Sequence, residues 1–441
     1  MRLPRPLDPD AGLQRLHARV SVSERPFDGV TVLEFGHFIA VPWAGHMLAD
    51  GGAHVIKIEP LEGEPSRHIA PLGGGESRHF LIRNRGKHSL PLELRHADAR
   101  EILDALLARA DVVLANMRPG LAAELGLEYE QLAARFPRII VGSNTAFGVK
   151  GPDAALAGMD YVVQARSGLM VTGGRTKDGL PATGESPIAD YMAATLLAFG
   201  VASALYRRER TGRGGRVDTS LLMAALALQN NLMVRVEKLD GPRHEDFRGW
   251  LEQARRGGIP FAEQVERMPR NRVAASQMIY VRTYATKDAA LAVACGSTSL
   301  RRKFIAAVGH EDPALDGKVA DVDTHYANLK RIVDATIASR TTREWQELLE
   351  KRGVPASGVA LPVEILDDPQ PAANEMFHRY DHPIVGPLTV LGPPLQLDGA
   401  GFVPGPPTAP FGSEARTILE WAGFAPRDVE RLLAGGAVTP R

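Results

Sequence analysis

Cysteine is nearly absent from this 441-residue sequence, which contains only Cys295. A single thiol makes neither an intrachain disulfide nor a thiolate metal site, so we expect a reducing, cytoplasmic location and a buried Cys295. An excess of charge is also lacking, because 52 Lys and Arg residues balance 52 Asp and Glu residues. This balance gives no support to a nucleic-acid or membrane-surface partner.

Long hydrophobic runs are missing as well. Residues 1–25 lack the continuous apolar stretch of a secretory signal. The longest uncharged apolar segment, residues 191–206, is shorter than the roughly 20 residues that a membrane helix needs. It therefore predicts a buried helix, and no membrane partner is expected.

Several common catalytic motifs are absent. The sequence contains no Walker phosphate loop, no Cys-x-x-Cys, no His-Glu-x-x-His and no Gly-x-Ser-x-Gly. The turn predicted after the first strand, residues 36–42, lacks the glycine spacing of a dinucleotide site. These absences argue against a phosphate-loop enzyme, a nicotinamide enzyme and a serine hydrolase, and no metal site is expected.

Short apolar runs alternate with amphipathic stretches from Gly29 onward. Strands are predicted at 31–35, 54–58, 89–94, 111–116, 138–143 and 216–220, and helices at 43–50, 97–110, 121–136 and 187–208. This alternation is typical of a mostly parallel sheet flanked by helices. The predicted fold class is therefore α/β, with a large Rossmann-like domain.

The chain is long enough for two domains. Residues 241–272 are charged and contain glycine and proline, which predicts a crossing between domains or a mobile loop. We predict a first part of the large domain at 25–240 and a smaller α/β domain at 245–350, with strands at 278–283 and 290–294. The proline-rich segment 353–441 is predicted to be a strap that returns to the large domain.

Asp190 is the first candidate for chemistry. Ser186 is predicted to cap the following helix and Pro187 to begin it, which places Asp190 in the first turn. A carboxylate there is favoured electrostatically and is expected to stay ionised at neutral pH. First-turn acids commonly do no more than stabilise helices, and the local pattern by itself favours that interpretation. Against it stands the isolation of this charge, the only one between Glu185 and Arg207.

A second acid, Asp160, also precedes an apolar stretch and by itself would be interpreted as a helix cap. Taken together, the sequence resembles the class III CoA-transferases, a family that includes formyl-CoA and carnitine CoA-transferases and is related to α-methylacyl-CoA racemases. The resemblance covers nearly the whole chain from Gly29. It is carried by VLEF at 32–35, LADGGAHVIKIE at 48–59, ADVVLANMRPG at 110–120, the segments around both acids, and ERTGRG at 209–214.

The resemblance implies a role for each acid. Asp190 matches the family's nucleophile, which attacks an acyl-CoA thioester and forms an aspartyl anhydride and then an aspartyl-CoA thioester. Asp160 matches an acid of the same site. An ionised carboxylate needs no general base, and exchange of one thioester for another needs no ATP. No tightly bound cofactor is implied, the substrates are an acyl-CoA and a small carboxylic acid, and an interlocked homodimer is expected.

CoA binding is expected, by the same resemblance, at two turns, at the end of one strand and beside Asp160. The residues are Phe38, Ile39, Ala40, Leu92, Leu94, Arg95, Asn116, Met117, Arg118 and Met159. The two arginines are suited to phosphate or adenine contacts, because guanidinium groups pair with phosphate and stack on flat rings. Each arginine alone would more often be a solvated surface charge.

The sequence departs from the family pattern at three places. No clear counterpart of the glycine-rich lid of formyl-CoA transferase exists near 257–277. Ile39 replaces a glutamine of that enzyme, which puts a formyl or oxalate substrate in doubt. Racemases of the related branch carry a histidine where this chain has Met159, so transfer is favoured over racemisation. A CoA-binding protein without catalysis is the other alternative, and the sequence leaves the acids themselves unidentified.

Overall fold

A parallel sheet lies at the centre of the larger of two structural units. The computed structural model describes residues 25–118, 120–269, 275–399 and 401–439. One unit comprises the described residues up to Met268 and from Asn374 onward, and the other comprises Pro269–Ala373. The predicted α/β class is confirmed.

The larger unit alternates strands and helices over most of its length. In chain order it contains β1 (Thr31–Phe35), α1 (Ala40–Asp50), β2 (His54–Glu59), a 3-10 helix (Pro65–His68), β3 (Pro71–Gly73), β4 (Glu76–Ser77), α2 (Arg78–Asn84), β5 (Lys87–Pro91), α3 (Ala99–Leu107), β6 (Val112–Ala115), α4 (Leu121–Glu124), α5 (Tyr129–Arg135), β7 (Ile140–Thr145), α6 (Asp160–Ser167), α7 (Leu169–Thr172), β8 (Thr176–Lys177), β9 (Leu180–Pro181), α8 (Ile188–Thr211), β10 (Gly215–Ser220), α9 (Leu221–Ala227), a 3-10 helix (Asn230–Met233), α10 (Glu237–Arg256) and α11 (Phe261–Glu266).

The central sheet has the strand order β10-β7-β6-β1-β2-β5, and every pairing in it is parallel. The chain moves outward from β1 through β2 to β5, and in the opposite direction from β6 through β7 to β10. The order therefore reverses between the neighbouring strands β1 and β6. In open parallel sheets the connections diverge at such a point and leave a crevice at the carboxyl ends of the strands.

Alternation along the strands divides the core between the two faces of the sheet. Leu33 and Val113 face one cluster, which also holds Ile418 from the C-terminal part of the chain. Val32 and Leu114 face a second cluster, to which α1 and α8 contribute. Since both faces are covered, most strand residues are buried, including the charged Glu34 and Lys57, which pair with each other at 2.9 Å.

Helix α8 is the longest helix of the described chain. By length and composition alone it is apolar enough to cross a membrane. Ala194, Leu197 and Val201 of this helix are fully buried in the core. It ends where Gly212 adopts a left-handed conformation, with φ of 71°, as the glycine-rich stop at this position predicts.

The smaller unit is also α/β. It contains α12 (Gln277–Tyr280), β11 (Val281–Ala285), β12 (Ala290–Ala294), α13 (Thr298–Ala307), a 3-10 helix (Pro313–Asp316), α14 (Val322–Ile337), α15 (Thr342–Lys351), β13 (Ala356–Gly358), α16 (Pro362–Ile365) and α17 (Pro369–Ala373). The three strands form an antiparallel sheet, and Tyr280, Phe304 and Trp345 are among the residues of its core. Cys295 is fully buried there.

The C-terminal part of the larger unit begins at Asn374. It contains the hairpin β14 (Phe377–His382) and β15 (Gly386–Leu391), followed by α18 (Ala415–Ala422) and α19 (Pro426–Ala434). Ile418 and Leu432 pack in the core against the sheet, and Glu414 accepts a hydrogen bond from the backbone of Ser89 at 3.3 Å. The returning segment thus begins at 374 rather than at 353, because β13 pairs with β12 in the smaller unit.

Two local predictions are wrong. Residues 121–136 form two helices, because Gly126 adopts φ of 70° after α4 and a capping box at Glu128 begins α5. Much of 241–272, predicted as a crossing or loop, forms α10 and α11, so the smaller unit begins at Pro269 rather than at 245. The charges of α10 lie on an exposed face, and only Gly241 and Ala254 are buried in it.

A third local prediction, the strand at 278–283, is shifted. Met278 belongs to the short helix α12, and β11 begins at Val281. Part of the segment considered for a lid, residues 270–274, lies outside the described residues.

Candidate active site

Asp190 is the third residue of α8, in the first turn of the helix. The helix begins at Ile188 after Pro187, and no side chain at the N-cap position accepts a backbone hydrogen bond. Instead, Oδ2 of Asp160 accepts from the backbone N–H groups of Ala189 at 2.9 Å and Asp190 at 3.1 Å. The prediction that Ser186 caps this helix is therefore wrong, and the capping carboxylate comes from another helix.

Both carboxylate oxygens of Asp160 accept hydrogen bonds. It is the first residue of α6 and is 8% exposed. While one carboxylate oxygen binds the start of α8, the other accepts a hydrogen bond from the side-chain amide of Gln164. The two acids are consequently brought together by direct contact between α6 and the first turn of α8.

The environment of Asp190 favours its neutral form. Burial and then the negative charge of Asp160 raise the pKa of Asp190 to about 7, and the positive charge of Arg83 opposes this rise. The prediction that Asp190 stays ionised at neutral pH is thus corrected, because its surroundings favour the neutral form at pH values where an ordinary carboxyl group is fully ionised. A free helix N-terminus would favour the ionised form, but Asp160 already occupies the N–H groups there and repels a second negative charge.

Arg83 was not singled out from the sequence. It lies near the end of α2 and is 6% exposed. Its Nη2 donates to the hydroxyl of Tyr191 at 3.0 Å, and Nη1 donates to the carbonyl of His79 at 2.7 Å. In the sequence it stands in a basic run that also contains Arg78 and Arg85, and no local signal separates a buried arginine from a solvated one.

The turn after β1 is fixed by buried polar groups. Nζ of Lys57 donates to the carbonyl of Gly36 at 2.6 Å, and Glu64 accepts from the backbone N–H of Phe38 at 3.0 Å. Phe38 adopts a left-handed conformation with φ of 65°, which is unfavourable for a bulky residue and persists only where the surroundings impose it. His37 and Asn116 exchange two hydrogen bonds of 2.9 Å, so the turns after β1 and β6 are tied together.

A cavity of about 400 Å³ lies at the carboxyl ends of β1, β2, β5 and β6, where the strand order reverses. Six of the predicted CoA residues line it, together with His37 and other residues of the strand ends. The six are Leu92, Leu94, Arg95, Asn116, Met117 and Arg118. Both arginines are exposed, as a site for a charged ligand requires.

Four of the predicted CoA residues do not line this cavity. Phe38 and Ile39 follow His37 in the turn beside it, and Ala40 is buried against Ala189 at the head of α8. Met159 is the N-cap residue of α6 and is 57% exposed. The turn after β1 therefore joins the cavity on one side to the helix of Asp190 on the other.

A second cavity, of about 550 Å³, adjoins the paired acids. Gln164, which donates to Asp160, and Ile188, two residues before Asp190, both line it, as do Leu169 and Met170. Its lining contains apolar side chains as well as polar ones such as Arg175 and Ser186, and no local pattern in the sequence indicates it.

Comparison with known proteins gives consistent results. The family model described as CoA-transferase family III matches residues 27–412. The acetyl-CoA:oxalate CoA-transferase of Acetobacter aceti is 31% identical over 85% of this chain and 90% of that protein. The cinnamoyl-CoA:phenyllactate CoA-transferase of Clostridium sporogenes is 28% identical over 92% of this chain and 95% of that protein.

A solved structure is also similar. The crystal structure of a CAIB/BAIF family protein from Brucella suis superposes with a TM-score of 0.71 at 27% identity, covering 91% of this chain and 100% of that chain. The residues matched by the family model include the lining of both cavities and both acids. The chain belongs to CoA-transferase family III and is a CoA-transferase that uses CoA thioesters.

Proposed function

We propose that this enzyme moves CoA from an acyl-CoA to a free carboxylic acid through covalent intermediates on Asp190. The observation that carries the proposal is the position of this carboxylate. It lies at the head of an apolar helix, held by Asp160, beside the turn that borders the cavity at the strand ends.

The proposed sequence has four acyl-transfer steps. A carboxylate oxygen of Asp190 attacks the donor thioester, so a C–O bond forms, the C–S bond breaks and CoA thiolate leaves. The thiolate then attacks the aspartyl carbonyl, which releases the donor acid and leaves an aspartyl-CoA thioester. The acceptor carboxylate attacks this thioester and expels the thiolate. Attack of the thiolate on the acceptor carbonyl yields the new acyl-CoA and regenerates Asp190.

Asp160 has two effects in this scheme: it fixes the position of Asp190, and its negative charge acts on the Asp190 carboxylate. Its bonds to Ala189 and Asp190 fix the first turn of α8, so the nucleophile stays in one orientation. Its negative charge raises the energy of the Asp190 anion, and neutralisation of that anion in the first step removes the repulsion. Partial burial of the site limits attack of water on the anhydride and on the thioester.

CoA is proposed to bind in the cavity at the strand ends, with Arg95 and Arg118 at its phosphate or adenine groups. We expect Arg95→Ala and Arg118→Ala each to raise KM for acyl-CoA about tenfold while changing kcat less than twofold, since a contact remote from the reacting carbonyl gives uniform binding. Arg100→Ala is the matched control, because this exposed arginine pairs with Asp104 outside the cavity. If neither variant changes KM for acyl-CoA, CoA does not bind in this cavity.

The acid substrates are proposed only as a class. The named relatives act on oxalate and acetyl-CoA in one case, and on phenyllactate and cinnamoyl-CoA in the other. The second cavity, next to Gln164 and Ile188, is our candidate for the acyl group. Its mixed lining suits a carboxylic acid that also carries an apolar part.

Racemisation is the less favoured alternative. A racemase needs an acid and a base at opposite faces of the carbon next to the thioester carbonyl. The residue that precedes Asp160 is Met159, and a thioether does not accept a proton at neutral pH. Absence of deuterium exchange at this carbon in branched acyl-CoAs would support transfer.

We also propose that the enzyme is a homodimer and that it is located in the cytoplasm. Large apolar side chains are exposed on helices α8 and α10 of the larger unit, among them Phe199 at 72%, Tyr206 at 69% and Leu239 at 72%. Such a surface is typical of one covered by another chain. We expect light scattering to give twice the mass of the 47.6 kDa chain. The mass of a single chain at micromolar concentration would contradict the proposed dimer.

The covalent mechanism is tested by intact mass spectrometry. Incubation with a panel of acyl-CoA donors is expected to produce a protein heavier by CoA less one water. Hydroxylamine should convert Asp190 in this species to a hydroxamate, identified by peptide mapping. The Asp190→Asn protein should show neither product. Robust transfer without any adduct, or an adduct on another residue, would overturn the mechanism.

A further inference from the structure

Arg83 is a buried cation that forms no ion pair with any described residue, and its guanidinium lies over the Tyr191 ring, 5.6 Å from the ring centroid. Within the described chain no carboxylate oxygen lies within 4.0 Å of its nitrogens, and its buried Nε donates no hydrogen bond. Burying a guanidinium without a counter-charge is costly, and a surface position on α2 would avoid the cost. Retention of such a group calls for a reason other than packing.

The hydrogen bonds of Arg83 fix its charge beside the nucleophile. Tyr191, whose hydroxyl accepts from Nη2, directly follows Asp190 in the first turns of α8. The ring of Tyr191 in turn packs edge-on against Trp43, with ring centroids 5.3 Å apart. The guanidinium is therefore held close to Asp190 without contacting its carboxylate oxygens.

The other charged groups near the head of α8 are exposed, paired or neutral, and Glu185 and Arg175, which line the cavity beside Ile188, are both exposed. Asp160 of α6 binds the start of α8, and burial keeps the pKa of His46 of α1 well below its usual range, so that it is uncharged. The elements that pack against α8 carry a few other titratable residues. Three of these form ion pairs: Asp50 of α1 with Arg85, Arg216 with Asp218 in β10, and Arg166 of α6 with Asp153. Tyr161 of α6 is exposed. Arg83 and Asp160 are thus the opposing charges that act on Asp190.

We propose that Arg83 is a positioning residue whose buried charge keeps a working fraction of Asp190 ionised against the repulsion of Asp160. This inference rests on the proposed nucleophilic role of Asp190. A direct ion pair would occupy the oxygen that must attack the thioester and would weaken it as a nucleophile. A guanidinium anchored on the neighbouring Tyr191 supplies the charge and leaves the attacking lone pairs free.

The pH dependence of kcat/KM tests this role. For the native enzyme we expect activity to rise with pH through an apparent pKa of about 7, because only the ionised Asp190 attacks. In Arg83→Met the apparent pKa should rise by about one unit or more. The activity of the variant should then be about fivefold below that of the native enzyme at pH 7, and within about twofold of it at pH 9. A purely structural role would instead lower activity by one factor at every pH.

Matched variants separate charge from contact. Arg83→Lys keeps the charge and should give a profile close to native, and Arg78→Met removes an exposed arginine of the same helix and should change nothing. Arg83→Gln keeps donors for Tyr191 and His79 without the charge, and it replaces Arg83→Met if that protein does not fold. Asp160→Asn removes the opposing charge and should move the profile to lower pH.

The outcomes distinguish this inference from the proposed mechanism. An unshifted profile in folded Arg83→Met or Arg83→Gln, or an equal loss at all pH values, would overturn the role of Arg83. The covalent mechanism would still stand if the native enzyme forms the aspartyl-CoA adduct. Absence of that adduct with active donors would remove the mechanism whatever Arg83 does.

Discussion

Replacement of Asp190 by alanine or asparagine is expected to lower CoA transfer by at least about 1,000-fold, because the proposed reaction has no other group to carry the acyl moiety. The measurement is thioester exchange between an acyl-CoA and a free acid, followed by chromatography. Glu209→Gln is the matched control, since this acid lies on the same helix but is exposed and pairs with Arg138. Substantial transfer by a folded Asp190→Ala protein would contradict the mechanism.

The same substitution is expected to stabilise the fold. The pKa of Asp190 is about 7 in the native protein and ordinarily 3.8, so the native state binds the proton more tightly than the unfolded chain. The resulting destabilisation is absent below about pH 4, grows as the pH rises and is complete above about pH 7. After allowance for partial solvent exposure, Asp190→Asn should gain about 1–2 kcal/mol in free energy of unfolding at pH 8.

Urea unfolding at several pH values measures this gain. The difference between Asp190→Asn and the native protein should be near zero at pH 4 and should rise to its full value by pH 8. A loss of activity together with a gain in stability would mark Asp190 as a group that the fold keeps at a cost for function. A variant that is less stable at pH 8 would favour the helix-stabilising interpretation instead.

Asp160→Ala is expected to have the second largest effect. It removes the acceptor for two buried N–H groups at the start of α8 and for the amide of Gln164. The free energy of unfolding should fall by about 2–4 kcal/mol, because buried donors lose a charged partner. Displacement of Asp190 by even 1 Å should lower kcat by roughly 100-fold.

The pH profile of Asp160→Ala distinguishes misplacement of Asp190 from loss of the neighbouring charge. Without Asp160 the pKa of Asp190 should fall, so the remaining activity should persist to lower pH than in the native enzyme. Asp153→Ala is a suitable control, because this acid forms an ion pair with the exposed Arg166 of α6 and should change stability by less than about 0.5 kcal/mol. Native activity and stability in Asp160→Ala would contradict the proposed role of this acid.

Much of the parallel sheet is predictable from the sequence because burial on both faces makes its strands rich in apolar and β-branched residues. The runs TVLEF and HVIKIE coincide with β1 and β2 almost to the residue. Charged residues in a segment do not show that the whole segment is a loop. Helix α10 has charged residues because only one narrow side of it is buried, and that side is set by the tertiary fold.

The sequence by itself determined the α/β class and, through its resemblance to a known family, the candidate acids Asp160 and Asp190 and the arginines of the cavity at the strand ends. Only the tertiary structure decided that Asp160, rather than Ser186, caps α8, and that Arg83 is buried next to Tyr191. The physical reason is that the ionisation of Asp190 depends on solvent exposure and on charges that lie 30 and 107 residues away along the chain. The local sequence pattern around Asp190 predicts neither its solvent exposure nor these charges, because tertiary packing determines both.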